Sequence, residues 1–138
     1  MSIAENRTVL KDSSGVPITV AERTSLLITS TLKDETGAAI ALASLTTLTL
    51  TLYLRDASAE TIINSVDDVD IKDTGRATVH ATSGLMTLTL TPADNQIVTT
   101  ADAQEWHRAL IEWTYNSGAK AGRYEIDFPV RNLSKVSA

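Results

Sequence analysis

The chain has no cysteine, three prolines, six glycines and only 4% aromatic residues in a length of 138. Without Cys there is no disulfide, no thiolate metal site and no cysteine nucleophile, and the redox state of the compartment leaves no mark. Scarce aromatics force an aliphatic core of Leu, Ile, Val and Ala, with Trp106, Trp113 and Phe128 as the rare large pieces. A run of basic residues is missing too: the formal net charge is -5, and acids and bases are interspersed. Nucleic-acid binders carry a basic stripe, so no nucleic-acid partner is expected. No window reaches the roughly 20 apolar residues of a membrane span, and charges stand where a signal peptide needs its apolar segment. These absences predict a protein without a membrane partner, kept in the cytosol unless it leaves as part of a larger particle. The G-x-S-x-G, H-E-x-x-H, P-loop and G-x-G-x-x-G motifs are all absent, which leaves no named reaction and predicts no catalytic residue, cofactor or metal.

What is present is a repeated period of two. In Leu45 to Arg55, Leu48, Leu50, Leu52 and Leu54 fall on one parity, and Thr47, Thr49, Thr51, Tyr53 and Arg55 on the other. That alternation is a half-buried strand, and β-branched Thr suits a pleated surface. The same signature recurs from Ser25 to Lys33, with Leu27 as an apolar residue out of phase. It returns in Met86, Leu88 and Leu90, in His107, Ala109, Ile111, Trp113 and Tyr115, and in Tyr124, Ile126, Phe128 and Val130. Arg123, Glu125, Asp127 and Arg131 are predicted to face outward, as is Pro129, which suggests a free edge because it lacks a ladder donor.

Turn clusters punctuate these stretches at Lys11 to Gly15, Asp34 to Gly37, Asp56 to Ser58, Asp73 to Arg76, Ser83-Gly84 and Asn116 to Gly122. Shorter strands are predicted over Val16 to Val20 and Thr61 to Ile63. The stretch Val66 to Ala81 reads as a surface hairpin with an acidic outer edge. Thr91-Pro92-Ala93-Asp94 has a capping-box spacing with Pro at the first helical position, predicting one short helix near residues 92–98. Seven to eight short strands with regular turn signals predict an all-β fold, an immunoglobulin-like antiparallel β-sandwich, with an eight-stranded barrel or jelly roll as the alternative. Residues 1–20 are expected to form an N-terminal arm that orders only on assembly, and residues 21–138 the sandwich domain.

Chemistry is sparse. The acids Asp68, Asp70 and Asp73 superficially resemble a calcium loop, but the third acid and Gly75 come too late for it. His80 and His107 lack any paired ligand motif. Trp113 shares the parity of Ile111 and is expected in the core, whereas Trp106 is expected to be partly exposed. The residues predicted to contact a partner are Ile3, Val9, Leu10 and Ile18 on the arm, together with Trp106.

The order LTLTLYLRDASAETIINS, GRATVHATSGLMTLTLTPADN and HRALIEWTYNSGAKAGRYEIDFPVRNL resembles a group of small structural proteins of tailed bacteriophages. These carry an immunoglobulin-like sandwich, similar in pattern to the N-terminal domain of phage baseplate proteins. The matching marks are the TLYLRD strand and its turn, the LTLTPAD junction, the ALIEWTY strand and the closing EIDFPVRN strand, over roughly residues 24–133. The resemblance implies a non-enzymatic virion component present in symmetric copies, decorating or joining head, neck or tail, and assembled in the host cytoplasm. Its partners would be other virion proteins. The rival expectation is a receptor- or carbohydrate-binding adhesion module.

Overall fold

A computed structural model describes residues 7–56, 61–72 and 74–135. Among the described residues nine strands are formed: β1 Arg7–Val9, β2 Val20–Ala21, β3 Leu26–Thr31, β4 Leu45–Leu54, β5 Val69–Asp70, β6 Ala77–Val79, β7 Leu85–Leu90, β8 Gln104–Tyr115 and β9 Lys120–Arg131. One sheet runs β1-β9-β8-β4-β5, with β2 also on the outer edge of β9, and the other runs β3-β7-β6. Setting β3-β7-β6 against β9-β8-β4-β5 reproduces the B-E-D and G-F-C-C′ order of an immunoglobulin-like sandwich.

The alternation that announced β4, β7, β8 and β9 is the packing. Leu48, Leu50 and Leu52 from β4 are at most 1% exposed, Ala109, Ile111 and Phe128 are fully buried on the same sheet, and Met86, Leu88 and Leu90 are fully buried on the opposing sheet. Burying each large aliphatic side chain contributes about 1.5–3 kcal/mol, enough for a core built almost without aromatics. Leu45 is buried although it is out of phase with Leu48. A register shift between Leu45 and Thr47 supplies the extra residue that restores its inward direction.

Several expectations need correction. Residues 7–20 do not stand apart as an arm: β1 pairs in parallel with Glu125 to Asp127, and β2 pairs in parallel with Val130 and Arg131. The larger sheet is therefore mixed, and the strand predicted over Val16 to Val20 reduces to β2, with Val16 exposed. Val66 to Ala81 is no hairpin, because β5 joins β4 while β6 joins β7, so the chain crosses between the sheets there. The short helix is a single 3-10 turn, Pro92–Asn95, closed by the Thr91 and Asp94 capping box. Gln96 is already extended, so Ile97 packs on the core while Val98 stays exposed. The stretch Thr61 to Ile63 makes only an isolated bridge, Ile62 to Tyr53. It nevertheless covers β4, with Ile63 N–H donating to Leu52 O and Leu52 N–H to Val66 O, both at 2.9 Å. Thr51, predicted to face solvent, is buried under this cover and accepts a hydrogen bond from Asp68 N–H at 2.9 Å.

Candidate functional site

A groove lies on the outer face of the larger sheet, where β1 leaves β9 and β2 rejoins it. Leu10 N–H donates to Asp127 O at 2.8 Å, and the chain then turns away. In that turn the Asp12 carboxylate accepts from the N–H groups of Ser14 and Val16, and Gly15 takes a φ of 81°, which costs glycine nothing. Lys11 bridges to Pro17, Ile18 N–H donates to Leu10 O, and pairing with β9 resumes at Val20. Among the described residues, neither Phe128 nor Pro129 has a ladder partner on this side. A proline with no N–H loses nothing there, so the free edge expected at Pro129 is local to this gap.

The gap opens a groove of about 910 Å³ walled by Val9, Pro17, Trp106 and Pro129, with Arg7 and Lys11 among its lining residues. Of the predicted contact residues, Val9 and Trp106 come together in this groove. Leu10 and Ile18 instead pack against the core, anchoring the turn from below. Ile3 lies outside the described residues.

Beside the groove, cross-strand register assembles a paired charge network. Arg108 stands opposite Asp127, and Arg7 opposite Glu125. The Arg108 fork donates to Asp127 through Nε at 2.7 Å and a terminal nitrogen at 3.0 Å, and Arg7 Nε donates to Glu125 at 2.7 Å. Bidentate pairs of this kind combine strength with fixed geometry. The hydrogen bonds to Asp127 raise the pKa of Arg108 above its ordinary value against an opposing desolvation, so it stays charged. Asp127 is only 3% exposed because Arg108, and Arg55 at 3.8 Å, cover it. Arg55 lays its guanidinium 4.1 Å from the centre of the Trp106 ring while its fork holds Asp56. A cation stacked there fixes the indole and occupies one of its faces.

No family profile matches the sequence, and no curated protein matches it.

The other singled-out groups serve the fold. His80 Nδ1 accepts from Thr82 N–H at 3.2 Å and Ser83 N–H at 3.1 Å, closing the turn into β7. Asp67, Asp68 and Asp70 are exposed or line the acidic crossing, and Asp73 lies outside the described residues. Among the described residues, no three His, Cys, Asp or Glu side chains converge as a metal site. Trp113 is 7% exposed, as its parity predicts, and lies flat against Gly122.

Two buried polar clusters escaped the sequence reading. Asp94 is fully buried and receives Arg76 at 2.5 Å, Asn64 at 2.9 Å and Thr91 N–H at 2.7 Å. Desolvation pushes its pKa up, but these donors outweigh it and hold the carboxyl below its usual range. Glu105 is the second centre: its carboxylate accepts from Val98 N–H and Thr99 N–H, and lies 2.6 Å from His107 Nε2. In antibody domains a tyrosine near the start of strand F bonds back to upstream backbone. Here a glutamate at the start of β8 ties the loop that enters it. The available signal was Glu105 sharing the inward parity of His107 and Ala109.

Proposed function

We propose that the chain is a non-enzymatic structural component of a bacteriophage particle, decorating or joining head, neck or tail through protein–protein contacts. The phage character rests on the resemblance of its strand and turn patterns. The groove beside Trp106 is the observation that carries the contact surface: a trough with apolar walls of Val9, Pro17, Trp106 and Pro129, set beside a network of paired charges. Arg7, Arg55 and Arg108 are engaged by Glu125, Asp56 and Asp127, which stiffens the surface beside the groove. Such a surface suits docking of an apolar anchor, and indole and proline walls supply area at little entropy cost. Arg55 over the Trp106 ring leaves less platform for a sugar, which ranks the adhesion reading second. The protein is then carried in symmetric copies on the virion and is present in the host cytoplasm during assembly.

The test is incorporation. Particles assembled with Val9→Asp or Trp106→Ala should lose the protein while the isolated variants keep the wild-type circular dichroism. Normal incorporation of both variants would move the contact elsewhere. Absence of the protein from particles, with binding of the isolated wild type to bacterial cells or glycans, would replace this reading with the adhesion one.

A further inference from the structure

Strand β3 is the longest edge left open among the described residues. Pairing to β7 matches Ile28 with Leu88, and Leu32 N–H donates to Gly84 O at 2.9 Å. Successive residues of a strand aim their backbone groups to opposite sides, so those of Leu26, Ile28 and Ser30 face β7. The N–H and C=O groups of Leu27, Thr29 and Thr31 consequently face the open side. Their side chains lie on the outer face of the sheet, where Leu27 is 62% exposed. Other edges are guarded in familiar ways. Strand β5 is two residues long with Asp67, Asp68 and Asp70 around it, β6 is three residues long, and β9 is covered by β1 and β2. The sequence LLITST of β3 has no charge, no proline and no bulge.

We propose that β3 pairs antiparallel with β3 of a second copy about a twofold axis at Thr29. Thr29 then faces Thr29 of the second copy, and Leu27 faces Thr31 of the second copy on each side of the axis. All three residues present outward donors and acceptors, so about six backbone hydrogen bonds form and none is left over along the strand. Each Leu27 covers the methyl group of the opposing Thr31, a cross-strand contact of the favourable apolar and β-branched kind. Charge selects a second copy over other occupants. A chain of net charge -5 repels itself wherever acids meet, yet this outer face presents Leu27, Thr29, Thr31, Leu85, Thr87 and Thr89, none of them charged. Two copies meet there without like charges opposed, and a charged partner finds nothing to pair with. The contact is short, so the dimer is weak in dilute solution and becomes populated where copies are held close together. It stands apart from the groove beside Trp106, which lies on the other sheet.

Sedimentation velocity from about 10 μM to about 1 mM, the range where small interfaces associate, reads the equilibrium. The wild type should shift from monomer to dimer. Thr29→Pro removes only an outward-facing N–H and leaves the ladder to β7 intact, and Leu27→Lys sets a charge in the contact. Each should raise the dissociation constant about tenfold or more with an unchanged melting temperature. Leu133→Lys, at an exposed leucine elsewhere, should leave it unaltered. Amide exchange of the unsubstituted chain gives a second reading: the Leu27, Thr29 and Thr31 amides should exchange freely when dilute and become protected when concentrated. A wild type that remains monomeric at about 1 mM, a dimer indifferent to both β3 substitutions, or exchange at these amides that ignores concentration would each overturn the proposal.

Discussion

Replacing Glu105 by Gln alters one proton and one charge in a buried polar cluster of the fold. The Glu105 carboxylate takes donors from Val98, Thr99 and His107, and with the backbone nitrogens already donating, the imidazole proton belongs on Nε2. His107 Nδ1 then carries no proton and, buried, has no partner among the described residues. A glutamine oxygen can keep the backbone donors, but its NH2 then confronts the Nε2 proton. Moving that proton to Nδ1 leaves it without an acceptor, so either arrangement strands one buried donor. An orphaned donor costs about 1–3 kcal/mol, and losing the charge-assisted bonds adds to this, for a total of about 2–4 kcal/mol. For a domain of this size that lowers the melting temperature by roughly 6–16 °C. Acid probes the same cluster. Desolvation lowers the His107 pKa from its ordinary 6.5 against the raising effect of Glu105, the one charged group acting on it. A lowered pKa in the folded state means that the unfolded chain binds the proton more readily. Stability is therefore complete above pH 6.5 and declines as the pH falls below it, by at most about 1.4 kcal/mol per unit. The carboxyls of Asp34, Glu35, Asp56 and Asp94 are held below their ordinary values and stay ionised through that window. Urea unfolding of wild type, Glu105→Gln and His107→Leu between pH 7.5 and 5 measures both effects, and His107→Leu should flatten the slope. A wild-type stability that does not change over that range, or a glutamine variant as stable as wild type, would refute the reasoning.

Three further outcomes follow from the packing. Arg76→Met should cost about 3–5 kcal/mol in urea unfolding and exceed Asp94→Ala, because it strands a fully buried carboxylate, whereas Arg76, a quarter exposed, can reach water. Gly122→Ala would put a methyl group 2.6 Å from the Trp113 ring, so thermal unfolding should show a loss of about 1–3 kcal/mol. Removing residues 2–15 takes away β1, Leu10 and the Arg7 pair with Glu125, and should lower stability by about 1–3 kcal/mol, measurable by calorimetry, while the rest of the sandwich stays folded.

Long strands with one dry face were legible, because five or more alternations in β4, β8 and β9 cannot be mistaken for a helix. The two-sheet architecture followed from them. Strands β1, β2 and β5 were not legible, since two or three residues contain no period and their place is fixed by partners distant in sequence. Thr51 and Asp127 looked exposed by parity and are buried by cover from other segments, which alternation within one strand does not encode. At the groove, Trp106 and Val9 were visible as apolar residues out of place, but their meeting depends on the parallel pairing of β1 with β9. Leu27 announced itself by breaking the pattern. Glu105 did not, because an acid among apolar residues reads as noise until its three donors are known.

The parallel pairing of β1 with β9 also determines how the domain bears load. Tension that draws Arg7 and Arg131 apart along the strands pulls β1 and β9 in opposite directions, so the bonds of Leu10 and the β1 ladder are sheared together and not peeled one at a time. Resistance to forced unfolding is a matter of barrier height, and simultaneous rupture raises the barrier. Pulling Gln104 and Arg131 apart across the sheet would unzip the β8–β9 ladder pair by pair from its open end. The same molecule is thus stiff along one axis and yielding along another, a directional strength that comes from a strand of only three residues.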